Sequence, residues 1–157
     1  SIVIEFLKNG YSTENNSKLL IHSIHAGDKE GFDLIIKNGA NVNGPENTEF
    51  NRETPLGWKP SHFVKERNEI HSYMVKELIK NGANINRFAN TESHYIISAI
   101  TAKDTVLVDT LIKNGAKINT KIGDIDLKDY IKNKSPDYYE SIYNNNQKDK
   151  QIGLRLK

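Results

Sequence analysis

The sequence predicts an all-α fold, a solenoid of stacked helix-turn-helix units joined by short hairpin fingers. Three observations predict it. One string recurs four times, as Phe6-Leu7-Lys8-Asn9-Gly10, Ile35-Ile36-Lys37-Asn38-Gly39, Leu78-Ile79-Lys80-Asn81-Gly82 and Leu111-Ile112-Lys113-Asn114-Gly115. Apolar residues stand at steps of three and four before the last three glycines, the spacing of a buried helical stripe. The same three endings run on into Ala40-Asn41-Val42-Asn43, Ala83-Asn84-Ile85-Asn86 and Ala116-Lys117-Ile118-Asn119. An apolar residue between polar neighbours suits a turn entering a short extended finger.

The second helix of each unit follows from these stripes. Phe32, Ile35 and Ile36 form one; Met74, Val75, Leu78 and Ile79 the next; Val108, Leu111 and Ile112 the third. The glycine after each is expected to close its helix in left-handed geometry, where glycine meets little steric cost. The lysine two residues earlier lies in the last turn, favourable to the helix dipole and to water.

The glycines are spaced by 29, 43 and 33 residues. A unit near 33 residues that ends its helix in this way resembles the ankyrin repeat. The resemblance covers roughly residues 1 to 143 and implies a protein-binding module rather than an enzyme. Its register places the first helices. Thr54-Pro55-Leu56 matches the opening of the family's Thr-Pro-Leu-His-x-Ala, with proline where its missing N–H costs nothing. His94 to Ile100 fills the first helix of the following unit, with Tyr95 in place of proline and Ala99 in place. Lys18 to Ile24 does so in the earlier unit, and Gly27 falls where the two helices part. The division expected is a half unit 1–16, units 17–43, 44–86 and 87–119, a terminal cap 120–146, and a basic tail 147–157.

The unit ending at Gly82 is about ten residues longer than the family period. About three extra residues fall in its finger, within 44–53, and about seven between its helices, within 59–69. Pro60 offers an early start to the second helix, because Phe63, Ile70, Met74 and Leu78 continue a stripe. Insertions in solenoids map to loops and often to the binding side; drift in a surface loop is the alternative.

At the N-terminal end, residues 1 to 10 supply only a second helix, either of a chain that begins so or of a trimmed one. At the other end, Ile125 to Ile131 reads as a modified first helix. Ser135-Pro136 reads as an N-cap with proline at the first helical position, leading into Asp137 to Tyr143. A polar terminal cap of this kind keeps a solenoid soluble. In the tail, Ile152, Leu154 and Leu156 alternate as in a short strand.

Composition excludes several chemistries. There is no cysteine, so disulfides, thiolate metal sites and thiol nucleophiles are absent. Charged residues make up 27% and the formal net charge is +2, too balanced to imply a nucleic acid. No apolar run reaches the roughly 18 residues of a membrane span, and the opening residues lack a basic leader. A cytoplasmic monomer is expected. His22 and His25 have a metal-chelating spacing but no third ligand, and packing or surface roles account for them. His71 falls where the family often opens its second helix. No glycine-rich phosphate loop occurs, and no nucleophile–base set can be assembled. No cofactor and no catalytic or metal residues are expected.

Recognition remains. The family binds partners through finger tips and the concave side of its first helices, which by register makes Tyr11, Phe50, Arg52, Trp58, His62, Arg87, Phe88 and Lys121 the candidate contacts. Aromatic and arginine side chains are enriched at binding hot spots. Phe50 and Phe88 stand out, in fingers where no repeat core demands an aromatic; Trp58 reads equally as filler beneath the insertion. Three functions compete: an intracellular binder that inhibits a specific protein, a scaffold or host-directed effector, and an enzyme or nucleic-acid binder. The last lacks a converging polar site or basic stripe. Richness in Ile, Asn and Lys resembles bacterial ankyrin proteins, and an immunity-type protein blocking a cognate toxin is one concrete form of the first.

Overall fold

The structure, a computed structural model, describes residues 2–12, 16–49, 53–57 and 65–144. These are mostly helical: α1 (Ile2–Lys8), α2 (Ser17–Ala26), α3 (Lys29–Lys37), a 3-10 turn (Pro55–Gly57), α4 (Lys65–Lys80), α5 (Tyr95–Thr101) and α6 (Thr105–Lys113). A two-stranded hairpin follows, β1 (Lys121–Ile122) with β2 (Ile125–Asp126), then α7 (Leu127–Lys134), α8 (Pro136–Tyr139) and a π-helical turn (Glu140–Asn144).

Each helix that carries the repeated string ends in the same way. Gly10, Gly39, Gly82 and Gly115 all adopt left-handed φ, between 77° and 90°. Each glycine N–H donates to the carbonyl three residues back at 3.0 Å, and the next residue donates to the carbonyl five back. That double bond is the Schellman closure, which satisfies carbonyls a helix end leaves orphaned. The asparagine before each glycine adds a third tie, its Nδ2 donating to the carbonyl four back at 2.8–2.9 Å.

Helix starts are built alike too. Asp28 and Asp104 accept from the N–H three residues on, each at 2.9 Å, and Asn16 caps α2 through Leu19 N at 3.2 Å. Between α2 and α3 the chain turns at Gly27, φ 67°; between α5 and α6 it turns at Lys103, φ 55°, the sole non-glycine with positive φ among the described residues. The bonds around the two turns correspond: Gly27 N to Ile24 O and Asp28 N to Ser23 O, against Lys103 N to Ile100 O and Asp104 N to Ala99 O.

Packing puts the helices in two files. α1, α3, α4 and α6 touch in succession; α2, the 3-10 turn and α5 touch in succession; α2–α3 and α5–α6 pair across. Leu20, Ile24, Phe32, Ile35, Met74, Leu78, Ile96, Val108, Leu111, Leu127 and Ile131 are almost fully buried and form a single apolar cluster along both files. At roughly 1.5–3 kcal/mol for burying each such side chain, this cluster is the main source of stability.

Three expectations change. The seven residues expected between the helices of the long unit go at least partly into the second helix: α4 has 16 residues where α3 and α6 have 9. His71 therefore sits inside α4, buried, rather than at its start. Ile125 and Asp126 belong to a hairpin, not to a helix. Gly123 turns the chain at φ 59°, Lys121 pairs with Asp126 and Ile122 with Ile125, and Leu127 N bonds Thr120 O at 2.8 Å. Ser135 does occupy the cap position before Pro136, yet its side chain makes no capping bond. Pro60, Phe63 and the tail 147–157 lie outside the described residues.

Candidate functional site

The turns after the Schellman glycines line up along one side of the stack, and asparagines join them. Asn43 Nδ2 donates to Gly82 O at 3.2 Å, while its Oδ1 accepts from Asn84 N at 2.7 Å. One unit later Asn86 Nδ2 donates to Gly115 O at 3.0 Å, and its Oδ1 accepts from Lys117 N at 2.8 Å. The same side chain, four residues after its own glycine, thus clips the same two backbone atoms of the next unit. Each turn is also held from within, with Asn41 Oδ1 accepting from Asn43 N and Asn84 Oδ1 from Asn86 N. At the last seam the clip changes chemistry: the Tyr143 hydroxyl donates to Ile118 O at 2.8 Å. Burial pushes that hydroxyl up to about 12, so it stays a donor at any physiological pH.

Two expected contacts prove to hold the fold. Arg87 donates from Nη1 to Asn43 O at 2.6 Å and from Nη2 to Pro45 O and, at 2.8 Å, to Glu46 O. Its planar fork clasps the carbonyls of the preceding finger, a geometry lysine cannot copy. Phe88 is only 5% exposed and meets Tyr95 edge-to-face, ring centroids 5.6 Å apart. The Tyr95 hydroxyl in turn bonds Thr54 Oγ1 at 2.7 Å, both groups buried. Phe88 is therefore a core residue of the seam, not an exposed contact.

Of the other candidates, Tyr11 is 60% exposed and stacks edge-on against the exposed Phe6, 5.1 Å between centroids. Lys121 is exposed on the last hairpin, beside a cleft shared with Thr120, Asp126 and Lys128. Phe50, Arg52, Trp58 and His62 lie outside the described residues. Tyr11 and Lys121 belong to opposite ends of the stack, and Arg87 with Phe88 lies between them.

His94 is fully buried and bonded at both ring nitrogens. Nδ1 accepts from Ile96 N at 3.1 Å, capping α5, and Nε2 faces Lys117 O at 2.8 Å. A carbonyl accepts only, so Nε2 carries the proton and the ring is neutral. Burial holds its pKa below the ordinary 6.5, opposed in part by the Lys117 carbonyl. On the α3–α4 seam, Asp33 accepts from Lys29 at 2.7 Å and from Tyr73 at 2.8 Å, with the lysine 4.1 Å above the tyrosine ring.

A cleft of about 650 Å³ lies between the turn after α5 and the α7–α8 corner. Ile97, Ile100 and Ile131 form its apolar floor and Lys103, Lys134 and Asp137 stand at its rim. Among the described residues no three His, Asp or Glu side chains gather as metal ligands, and no helix is long and apolar enough to cross a membrane. The asparagine clips were legible only as a recurrence: Asn43, Asn86 and Asn119 each stand four residues past a repeated glycine. Nothing in one sequence told Tyr143 from any other tyrosine.

A scan against protein-family models and a search of curated proteins both return no match.

Proposed function

We propose that the chain is an ankyrin-type repeat scaffold that binds one specific protein and inhibits it, without catalysis of its own. The observation that carries this reading is the repeated joint. Schellman ends at Gly39, Gly82 and Gly115, with Asn43 and Asn86 clipping the next unit in the same geometry, make a stack of like units. Such stacks contact only their neighbours and present an extended surface. The polar side chains that are buried deepest, Thr54 and His94, are spent on caps and seams rather than on a reacting centre. That favours a binder over an enzyme.

The partner surface then runs along the finger side, from Tyr11 at one end to Lys121 at the other, with Arg87 holding the middle finger in shape. An immunity-type role against a toxin is the concrete form of this reading. The test is capture from the native cell with this chain as bait. One stoichiometric protein whose activity falls on binding supports the reading. Several substoichiometric proteins would move it to a recruiting scaffold, and turnover of a small molecule by the purified chain would overturn it.

A further inference from the structure

The sequence contains five Asn-Gly pairs, at Asn9, Asn38, Asn43, Asn81 and Asn114. In such a pair the glycine nitrogen can attack the asparagine Cγ, because no side chain hinders its approach. The N–Cγ bond forms, the Cγ–Nδ2 bond breaks, and ammonia leaves with the proton shed by the glycine nitrogen. Water then opens the succinimide at either carbonyl, giving aspartate or isoaspartate.

Four of the five pairs are helix ends in which both reacting groups are tied within the same helix. The glycine N–H donates to the carbonyl three back at 3.0 Å, and the asparagine amide donates to the carbonyl four back at 2.8–2.9 Å. Asn38 and Asn114, at ψ 20° and 16°, are turned toward the helix by that closure. These ties last as long as the helix end does.

Asn43 is different. Its amide is held across a seam, by Gly82 O and Asn84 N of the next unit. The clip lies between turns rather than inside a helix, so its opening does not require a helix end to melt. Gly44 is also fixed by the fold. Its φ is 74°, and a Cβ there would stand 3.2 Å from Glu53 O and Thr54 Cα. Asn86, the other clip, is followed by Arg87, whose side chain slows such attack. The need for a glycine at 44 thus makes one clip, and only one of these two, chemically labile.

We propose that Asn43 is a spontaneous modification site whose deamidation unlocks the seam between the units 17–43 and 44–86. Conversion to aspartate removes the donor to Gly82 O and sets a carboxylate oxygen against that carbonyl. Conversion to isoaspartate reroutes the main chain through Cβ and Cγ and turns the Asn43 carbonyl that Arg87 clasps into a free carboxylate. Either product loses the bond to Gly82 O while leaving the Asn86 clip whole. The chain carries a timer in its own stack.

The experiment is incubation of the intact folded chain at neutral pH, with peptide-resolved mass spectrometry following amide loss at all five sites. Asn43 converts first, several-fold ahead of the four helix-end asparagines. Arg87→Ala, which frees the 43–46 segment, speeds Asn43 several-fold and leaves the other four unchanged, and Asn43→Asp lowers the unfolding midpoint. Helix-end asparagines converting as fast as Asn43 in the wild-type chain would overturn the proposal, with no variant needed. So would an Asn43 rate indifferent to Arg87→Ala in a variant whose circular dichroism remains native.

Discussion

At the scale of single residues, comparison of equivalent positions exposes the strained ones. Lys103 occupies the left-handed turn that Gly27 occupies one repeat pair earlier, with matching bonds on both sides. A side chain there costs roughly 1–2 kcal/mol, offset in part by glycine's larger unfolded-state entropy. Lys103→Gly is accordingly expected to raise stability by about 0.5–1 kcal/mol, read as a higher denaturant midpoint at unchanged slope. Phe88→Ala goes the other way. It empties a buried ring site and costs about 3–5 kcal/mol in urea unfolding, so any binding loss in that variant reports folding first. His94 gives a pH signature. Its native pKa is depressed below 6.5, so the unfolded chain takes up the proton first. Stability falls as pH drops below about 6.5 and levels once the native ring also protonates. Thermal midpoints across that window check it, and the slope is expected to shrink in His94→Thr, the residue found at position 54. The glycine φ values were legible in the sequence because a repeated residue at a helix end has one physical reason. The role of Phe88 was not, since it depends on the ring of Tyr95 seven residues on, which periodicity does not single out as its partner.

At the scale of elements, periodicity succeeded where a stripe was long and failed where a few residues decide. The stripes ending at Gly39, Gly82 and Gly115 correspond to α3, α4 and α6, and Ile70 and Met74 of the prolonged stripe lie within α4. Leu111 is fully buried in the last turn of α6. Leu111→Ala is therefore expected to cost about 2–5 kcal/mol, and a negligible change in midpoint would mean the helix does not face the stack. The hairpin before α7 was missed because a two-residue ladder carries no period. Gly123, Ile122 turned inward and Ile125 54% exposed outward decide it together. The fingers were read as exposed contact loops. Arg87 shows instead that the middle one is bound tightly to its neighbour, by a side chain that hydrogen-bonds three of its backbone carbonyls. A sequence cannot reveal which carbonyls a turn will offer.

At the scale of the whole molecule, the two files of helices, the clips of Asn43 and Asn86 and the closing bond of Tyr143 divide the work. Burial in the apolar cluster that runs through the units supplies most of the energy, and the polar clips set how one unit sits on the next. Alignment of successive turns on one side is what a partner would meet, and it leaves α3, α4 and α6 as a supporting back. Hydrogen exchange on the captured complex, compared with the free chain, tests this most directly. New protection is expected in the finger-side segments near residue 11, over 41–49 and over 117–126, with α3, α4 and α6 unchanged. Protection concentrated on those three helices, with the finger side left as it was, would contradict a partner bound across the turns.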